Sequence, residues 1–476
     1  MYELLFPILI SLASGFALIW LLWPAHKPNF PALFLRICLS LGVGFGMSSC
    51  GFFLWLVFFG PPGSVFITVE TAVLFGLIGV IALWRRRSAP PPDRDVNRPS
   101  ALMPRMRATV LTGFLILLLS GMVAFTMLAS LEPHGDWDAW VSWNLRARFL
   151  FGAGDQWQRA FSPLTPRACP GYPVFLSGLV ARSWKYAGTA SPLVPVVVAA
   201  LFTFGAVGLV FSALHVLRGR TQALLAGAVL LGTPFLLLHG VSQYADVPIA
   251  FFFLATIVLL TLSHRFRETR YSLLALAGLM CGLAVYTKHE GLLFLLGLTV
   301  VGIVSLVRAD DRKACLKRLG AFVAGAAVPL ILFIYVKAAM APGTNYMVAA
   351  LTGEAVLRRL AEPWRYVTVI WALLEQAFKV QKWCALPVVL PFYLLLTGTQ
   401  VDERDRAGFS TALWLLAFML FGHFVMFLIT HDNLEWHVKW SLDRLLLQLW
   451  PAAVFLLFLV ARKPEETAVG DSDAHG

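Results

Sequence analysis

Apolar stretches of roughly 20 residues recur along the whole chain, and that recurrence leaves few folds open. A hydrocarbon layer is crossed only by segments whose backbone donors and acceptors are satisfied internally, so runs of this length become helices. The runs are Leu4–Trp23, Leu33–Phe59, Val65–Trp84, Val110–Ala129, Leu193–Leu217, Ala223–His239, Val247–Ser263, Tyr271–Thr287, Leu292–Val307, Leu319–Val336, Cys384–Thr397, Phe409–Thr430 and Leu445–Val460. They predict an all-α polytopic membrane protein of about thirteen transmembrane helices. The composition agrees: 59% of the 476 residues are hydrophobic and 13% are charged, which no ordinary soluble domain tolerates.

The net charge of +12 does not point to nucleic acid. The basic residues cluster at the ends of apolar runs, as the positive-inside rule expects. Arg85 to Arg107, Arg218 to Arg220, His264 to Arg270, Arg308 to Arg318 and Arg462-Lys463 all fall on one side of the predicted bundle. That puts the N-terminus outside and the C-terminus inside. The first run carries Glu3 and no preceding Lys or Arg, so it reads as a retained helix rather than a cleaved signal.

The predicted organisation is a three-helix membrane segment over residues 1–84, then a basic, proline-rich cytoplasmic linker over 85–108. A transmembrane core over 109–463 and a disordered cytoplasmic tail over 464–476 follow. Among the six cysteines there is no CxxC or Cys/His metal spacing. Cys169 and Cys384 fall near the same predicted face, where a disulfide is conceivable.

The outer loops hold the chemistry-bearing residues. The longest, from Leu131 to about Pro192, opens with Asp136-Trp137-Asp138-Ala139-Trp140. Two carboxylates are thereby held at a membrane–water boundary among indoles suited to the headgroup layer. A helix starting near Asp138 would put Asp138, Ser142 and Arg146 along one side, as an interfacial helix does. The pair reads either as helix-start acids favoured by the dipole or as a general base or metal-binding acid. The stretch Tyr172 to Tyr186 is too short to span and reads as a juxtamembrane helix.

Lys288-His289-Glu290 forms a tight turn between two apolar runs. Three ionisable residues there are costly if buried, on the order of 2.5–3.5 kcal/mol for a lysine or aspartate at mid-membrane, which favours a site over a snorkelling lysine. Tyr244-Ala245-Asp246-Val247-Pro248 reads as a helix start, with Asp246 as a cap or as a site residue. Arg444 enters the last span beside Asp443, either as an anchor or as a guanidinium fork for a lipid phosphate. His431 and Glu435 have metal-ligand spacing but no matched third ligand.

Taken in order, these motifs resemble the membrane glycosyltransferases of the GT-C fold that use polyprenyl-phosphate sugars, the protein O-mannosyltransferases and aminoarabinose transferases among them. The resemblance covers roughly Val110 to Lys463 and rests on Asp136-Trp137-Asp138, Pro170 to Leu176, Tyr244 to Pro248, Gly282 to Lys288, and Arg444. It departs from the family in the tryptophan between the two acids and in the three helices before Val110.

The resemblance implies a GT-C-like bundle with interfacial helices in the first outer loop. The implied reaction is an inverting transfer of one sugar to an envelope glycan, lipid or protein, at the periplasmic face of a bacterial cytoplasmic membrane. It implies Asp136 as base with Asp138 supporting, Arg444 and Lys288 for the donor phosphate, and His289, Glu290, Tyr244, Asp246, Tyr172 and Arg146 around the substrate. A divalent metal, Mg or Mn, on Asp136 and Asp138 is compatible with it. A transporter or flippase would need charges near mid-membrane and inverted repeats, and no internal repeat is present. A non-catalytic envelope scaffold is the other alternative.

The charge alternation makes the topology testable. A cysteine introduced at Arg94 should react with an impermeant thiol reagent only from the inner side, and one at Gln156 only from the outer side. Labelling of Gln156→Cys solely after permeabilisation would overturn the arrangement.

Overall fold

Helices form wherever the apolar runs predict them, because in each run no other backbone arrangement leaves the peptide groups paired. The computed structural model describes residues 2–24, 29–87, 104–165, 168–341 and 352–463. The interior of the predicted linker and the whole predicted tail lie outside the described residues. The long helices are α1 (Tyr2–Leu22), α2 (Phe30–Phe59), α3 (Ser64–Arg87) and α4 (Pro104–Leu131). In the first large loop come α5 (Asn144–Gly152), preceded by a π-helical turn at Ala139–Trp143, and α6 (Phe175–Ala187), the predicted juxtamembrane helix.

Then follow α7 (Leu193–Leu217), α8 (Arg220–Leu231), α9 (Pro234–Val241), α10 (Asp246–Arg265), α11 (Arg270–Thr287), α12 (Glu290–Val307) and α13 (Arg312–Tyr335). The last group is α14 (Gly353–Leu360), α15 (Pro363–Ala377), α16 (Val380–Trp383), α17 (Leu386–Thr397), α18 (Glu403–Ile429) and α19 (Leu434–Val460). Among the described residues the only β feature is an isolated bridge between Thr399 and Ala461.

Among the described residues eleven helices are long and apolar enough to cross a membrane, or twelve when α8 and α9 count as one span. The expectation of about thirteen is corrected at two places. The run Ala223–His239 is not one straight helix: it bends by 60° between α8 and α9. The bend falls at Gly232-Thr233, ahead of Pro234, whose ring cannot continue a helix. The run Cys384–Thr397 yields only α17, 12 residues with Pro391 inside. That is about 18 Å of helix, too short for a hydrocarbon layer of about 30 Å.

The missing length comes from α15 and α16. Arg365, in the first turn of α15, donates to the carbonyls of Leu428 and Thr430 at the end of α18. Gly398, just after α17, accepts from the amide of Arg462 beyond the end of α19. The chain between them therefore passes from one end of the bundle to the other in three short helices. The break before α17 carries two successive non-glycine residues in the left-handed region, Cys384 (φ 48°) and Ala385 (φ 57°). No disulfide joins Cys169 and Cys384, so the conceivable pairing is not formed.

The first three helices are part of the packed bundle. Helix α2 runs through its middle, with Gly42 against Phe251 and Met280 and Gly46 against Leu283. Arg182 of α6 pairs with Glu70 of α3 at 2.8 Å and donates to the Pro7 carbonyl of α1. Large side chains such as Val65, Leu119, Ile303 and Ile331 face outward, as helices bathed in lipid require.

The tightest helix pair is α11 with α13, and its closeness depends on two glycines. A Cβ on Gly278 would lie 1.8 Å from the Phe322 carbonyl oxygen, and one on Gly325 1.8 Å from that of Ala275. Such small-residue seams bring backbones into direct contact where no hydrophobic drive separates lipid from protein. Gly325→Val should cost about 1–3 kcal/mol through overpacking, read as a lower melting temperature in detergent. Gly320→Ala, which meets open space, should leave it within a degree or two of wild type.

Candidate functional site

Asp246 sits at the first position of α10, fully buried. A lone carboxylate there would be prohibitively costly, so it is saturated with donors. Lys288 Nζ lies 2.9 Å from Oδ1, and Gln448 Nε2 donates to the same oxygen at 2.7 Å. Arg444 donates to Oδ2 from Nε at 3.2 Å and from Nη2 at 2.9 Å. His239 Nε2 is 4.0 Å from Oδ2. The carboxylate thus ties α9, α10, the α11–α12 turn and α19 together at one end of the bundle.

Lys288 also contacts Glu290 Oε1 at 2.8 Å. Burial opposes its charge, but Asp246 and Glu290 outweigh burial, and its pKa stands above the ordinary lysine value. The ammonium is therefore shared by two carboxylates. Gln448 Nε2 bonds Glu290 as well, at 3.2 Å, closing the polar cluster.

The first loop is laid over this cluster by backbone contacts. Gln243, in the left-handed region at φ 58°, donates from Nε2 to the Pro133 carbonyl and accepts from Asn144 Nδ2. The Asp136 amide donates to the Ser242 carbonyl at 3.3 Å, and that of Asp138 donates to the Tyr244 hydroxyl at 3.3 Å. These bonds bring Asp138 to Arg444, whose Nη1 lies 2.8 Å from Asp138 Oδ2. The guanidinium stands 4.7 Å above the Tyr244 ring, a cation–π arrangement. Arg444 is thus a bridge between the exposed loop and the buried carboxylate.

The expected site residues divide into groups. Asp138, Tyr244, Asp246, Lys288, Glu290 and Arg444 form one cluster. Tyr172 and His289 flank it with ring centroids 4.8 Å apart, and His289 Nε2 lies 3.1 Å from the Gly171 carbonyl oxygen. Burial, reinforced by Lys337, pushes His289 down to about 4, so its ring is neutral at pH 7. Asp136 is exposed, with Oδ1 accepting from the Trp137 amide at 2.6 Å.

Arg146 is fully buried. It donates to the Pro173 carbonyl and lies over Phe161, a place that props the turn before α6. Burial lowers it to about 10.

Asp443 faces Lys382 of α16, forming an ion pair with it, and also accepts from the amide of Arg444. Below that pair, toward the opposite end of the bundle, lies an apolar groove of about 540 Å³ between α15–α17 and α18–α19. Its walls include Leu373, Leu416, Leu449 and Leu456, and Trp383 and Trp450 stand at 5.4 Å from each other on it.

Gln448 and Lys382 were missed by motif reading. Gln448 follows Arg444 by one turn on α19, a spacing that puts both on one face. Lys382 carries no such signal, because its segment reads as a loop. Among the described residues no three His, Cys, Asp or Glu side chains are grouped to hold a metal ion. The spacing of His431 and Glu435 has no third ligand there, and His431 lies 3.7 Å from Asp432. Asp136 and Asp138 are two carboxylates, one of them on Arg444.

In comparisons with known proteins, residues 184–341, about a third of the chain, match the dolichyl-phosphate-mannose-protein mannosyltransferase family. No curated protein and no solved structure matches the chain. The matched span runs from the last turn of α6 to just past α13 and so contains His239, Asp246, Lys288 and Glu290, the buried half of the cluster. With that match laid on an all-helical bundle of apolar spans with a buried ion-pair cluster at the start of α10, the chain is a polytopic membrane glycosyltransferase.

Proposed function

We propose that the enzyme transfers one sugar, with inversion, from a polyprenyl-phosphate donor to a hydroxyl-bearing envelope acceptor at the outer face of the membrane. The matched family suggests a mannosyl unit. The observation that carries the proposal is Arg444, held between buried Asp246 and half-exposed Asp138. A guanidinium whose orientation Asp246 fixes can offer a phosphate the donor that Asp138 now occupies. The apolar groove beside α19 gives the prenyl tail a path from the membrane, and its lining residues Trp383 and Leu446 stand next to the Lys382–Asp443 pair.

The chemistry follows from that placement. The acceptor oxygen attacks the anomeric carbon while the bond from that carbon to the phosphate oxygen breaks. The bonding pair leaves with the phosphate, whose growing charge Arg444 meets. The acceptor proton passes to a carboxylate. Both Asp136 and Asp138 are in range of an arriving acceptor, and the geometry favours Asp138. It lies against Arg444, whereas one Asp136 oxygen is held by the neighbouring amide. A donor phosphate competing for Arg444 would release Asp138 to accept the proton. Asp136 then borders the acceptor on the water side. Lys288, already shared by Asp246 and Glu290, holds Asp246 in place, and Tyr172 and His289 wall the sugar space.

Asp138→Asn should lower turnover by roughly 10²–10⁴-fold while the melting temperature stays near wild type, and Asp136→Asn should have a smaller effect. The reverse ranking, measured as initial rates with a prenyl-phosphate sugar in detergent, would hand the base role to Asp136.

Arg444→Ala exposes the enzyme to a second fault, because removing one partner of a buried pair costs about 3–5 kcal/mol. Arg444→Lys keeps the charge that Asp246 needs and removes the fork. The lysine variant should fold and lose both donor affinity and kcat. Wild-type donor affinity in it would show that Arg444 is only a helix anchor.

A further inference from the structure

The end of the groove nearest the charge cluster is where lipid and charge meet, and neither Arg444 nor Lys288 stands there alone. Three Arg444 nitrogens are engaged, Nε and Nη2 on Asp246 and Nη1 on Asp138. The Lys288 side chain is 6% exposed and sits between two carboxylates. Lys382 is different. Its side chain is 34% exposed, its partner is Asp443, and its ammonium lies 4.9 Å over the Phe235 ring. Trp383, the next residue, lines the groove itself.

Two further features single out this point. Gln376 and Trp383 both line the otherwise apolar groove. Gln376 Oε1 and Trp383 Nε1 are buried with no hydrogen-bond partner. Buried polar atoms are almost always paired, and a hydrocarbon tail cannot pair them, whereas a headgroup can. The backbone right after Trp383 is strained at Cys384 and Ala385, at a cost of order 1–3 kcal/mol for each such residue. The packing of α16 against α9 and α19 offsets that strain, with Trp383 5.6 Å from Phe235 and 5.4 Å from Trp450.

We infer that Lys382 is a donor-binding residue that receives the lipid phosphate at the mouth of the groove, exchanging Asp443 for it. The inference rests on the proposed donor class and assigns a residue to it. Asp443 is the switch in the exchange. It accepts from Lys382 through Oδ2 and from the Arg444 amide through Oδ1, so a phosphate taking its place meets one ammonium and one backbone amide. A monoester or diester phosphate offers Lys382 the same charge-assisted bond that Asp443 does. Trp383 Nε1–H supplies a neutral donor beside it.

The test compares a polyprenyl monophosphate with the polyprenol of the same length, titrated into detergent-solubilised full-length protein and read by tryptophan quenching. Lys382→Met keeps the apolar stem over Phe235 and removes only the charge. Wild type should prefer the phosphate form by about tenfold or more, the scale of one charged hydrogen bond. Lys382→Met should lose most of that preference with polyprenol affinity unchanged, and Lys382→Arg should restore it. Asp443→Asn, which frees Lys382, should bind the phosphate form at least as tightly as wild type.

A full preference in Lys382→Met would overturn the inference and leave Lys382 as the anchor of α16. If Arg444→Lys loses the preference in that case, the donor reading stands without Lys382. Equal affinity of wild type for the two lipids would defeat the donor reading itself. Should Lys382→Met melt early, Lys382→Arg and Asp443→Asn still decide. Weakened phosphate binding in a stable Asp443→Asn protein contradicts the exchange.

Discussion

The buried carboxylate of Asp246 is the constraint on which the rest of this architecture depends. An uncompensated charge at that depth costs several kcal/mol or more, so the fold must bring cations to it from elsewhere in the chain. One comes from the turn between α11 and α12, and the other from α19, nearly two hundred residues away. Gln448 adds a neutral donor from the same face of α19. Four segments that could slide past one another in lipid are thereby locked in register. The same lock leaves the Arg444 guanidinium fixed in orientation at the edge of the exposed loop, where fixed positive charge is useful to a leaving phosphate.

Polar and apolar work are divided cleanly along the bundle. The Asp246 ion-pair cluster lies at the end that carries the long first loop, and the groove beside α19 is almost wholly apolar. A substrate with a charged head and a hydrocarbon tail matches that division, and a small soluble sugar nucleotide does not. The discontinuous passage through α15, α16 and α17 is what makes the groove. A continuous helix would pack along α18 and α19 and fill it, whereas three short pieces leave a gap and turn Lys382 and Trp383 toward its mouth.

The three helices ahead of the basic segment are bound into the same structure. Helix α2 is mostly buried among α6, α7, α10 and α11, and the Arg182–Glu70 pair with the Tyr186 hydroxyl fastens α3 to α6. Helix α6 follows directly on Tyr172, whose ring meets His289. The N-terminal helices therefore form the back wall against which one side of the site is set.

Much of this was legible in the sequence. Spans were readable because an apolar run of that length has one backbone solution in lipid, and most boundaries fall within a few residues of the runs. Asp138, Asp246, Lys288, Glu290 and Arg444 could be picked out because ionised residues at the ends of such runs have no cheap reason to be there. What the sequence could not decide was pairing. Hydropathy is blind to which charge meets which, so Asp443 read as the neighbour of Arg444 when its side chain in fact meets Lys382, and the buried Asp246 read as a possible helix cap. Nor could length alone show that Cys384–Thr397 is half of a crossing, since its other half is an amphipathic helix that carries no spanning signal. Composition and periodicity determined that the chain crosses a membrane and where its charges are tolerated. Only tertiary packing decided which charges share a site, because that depends on distances between helices far apart in the chain, set by small-residue seams and by the need to neutralise one buried carboxylate.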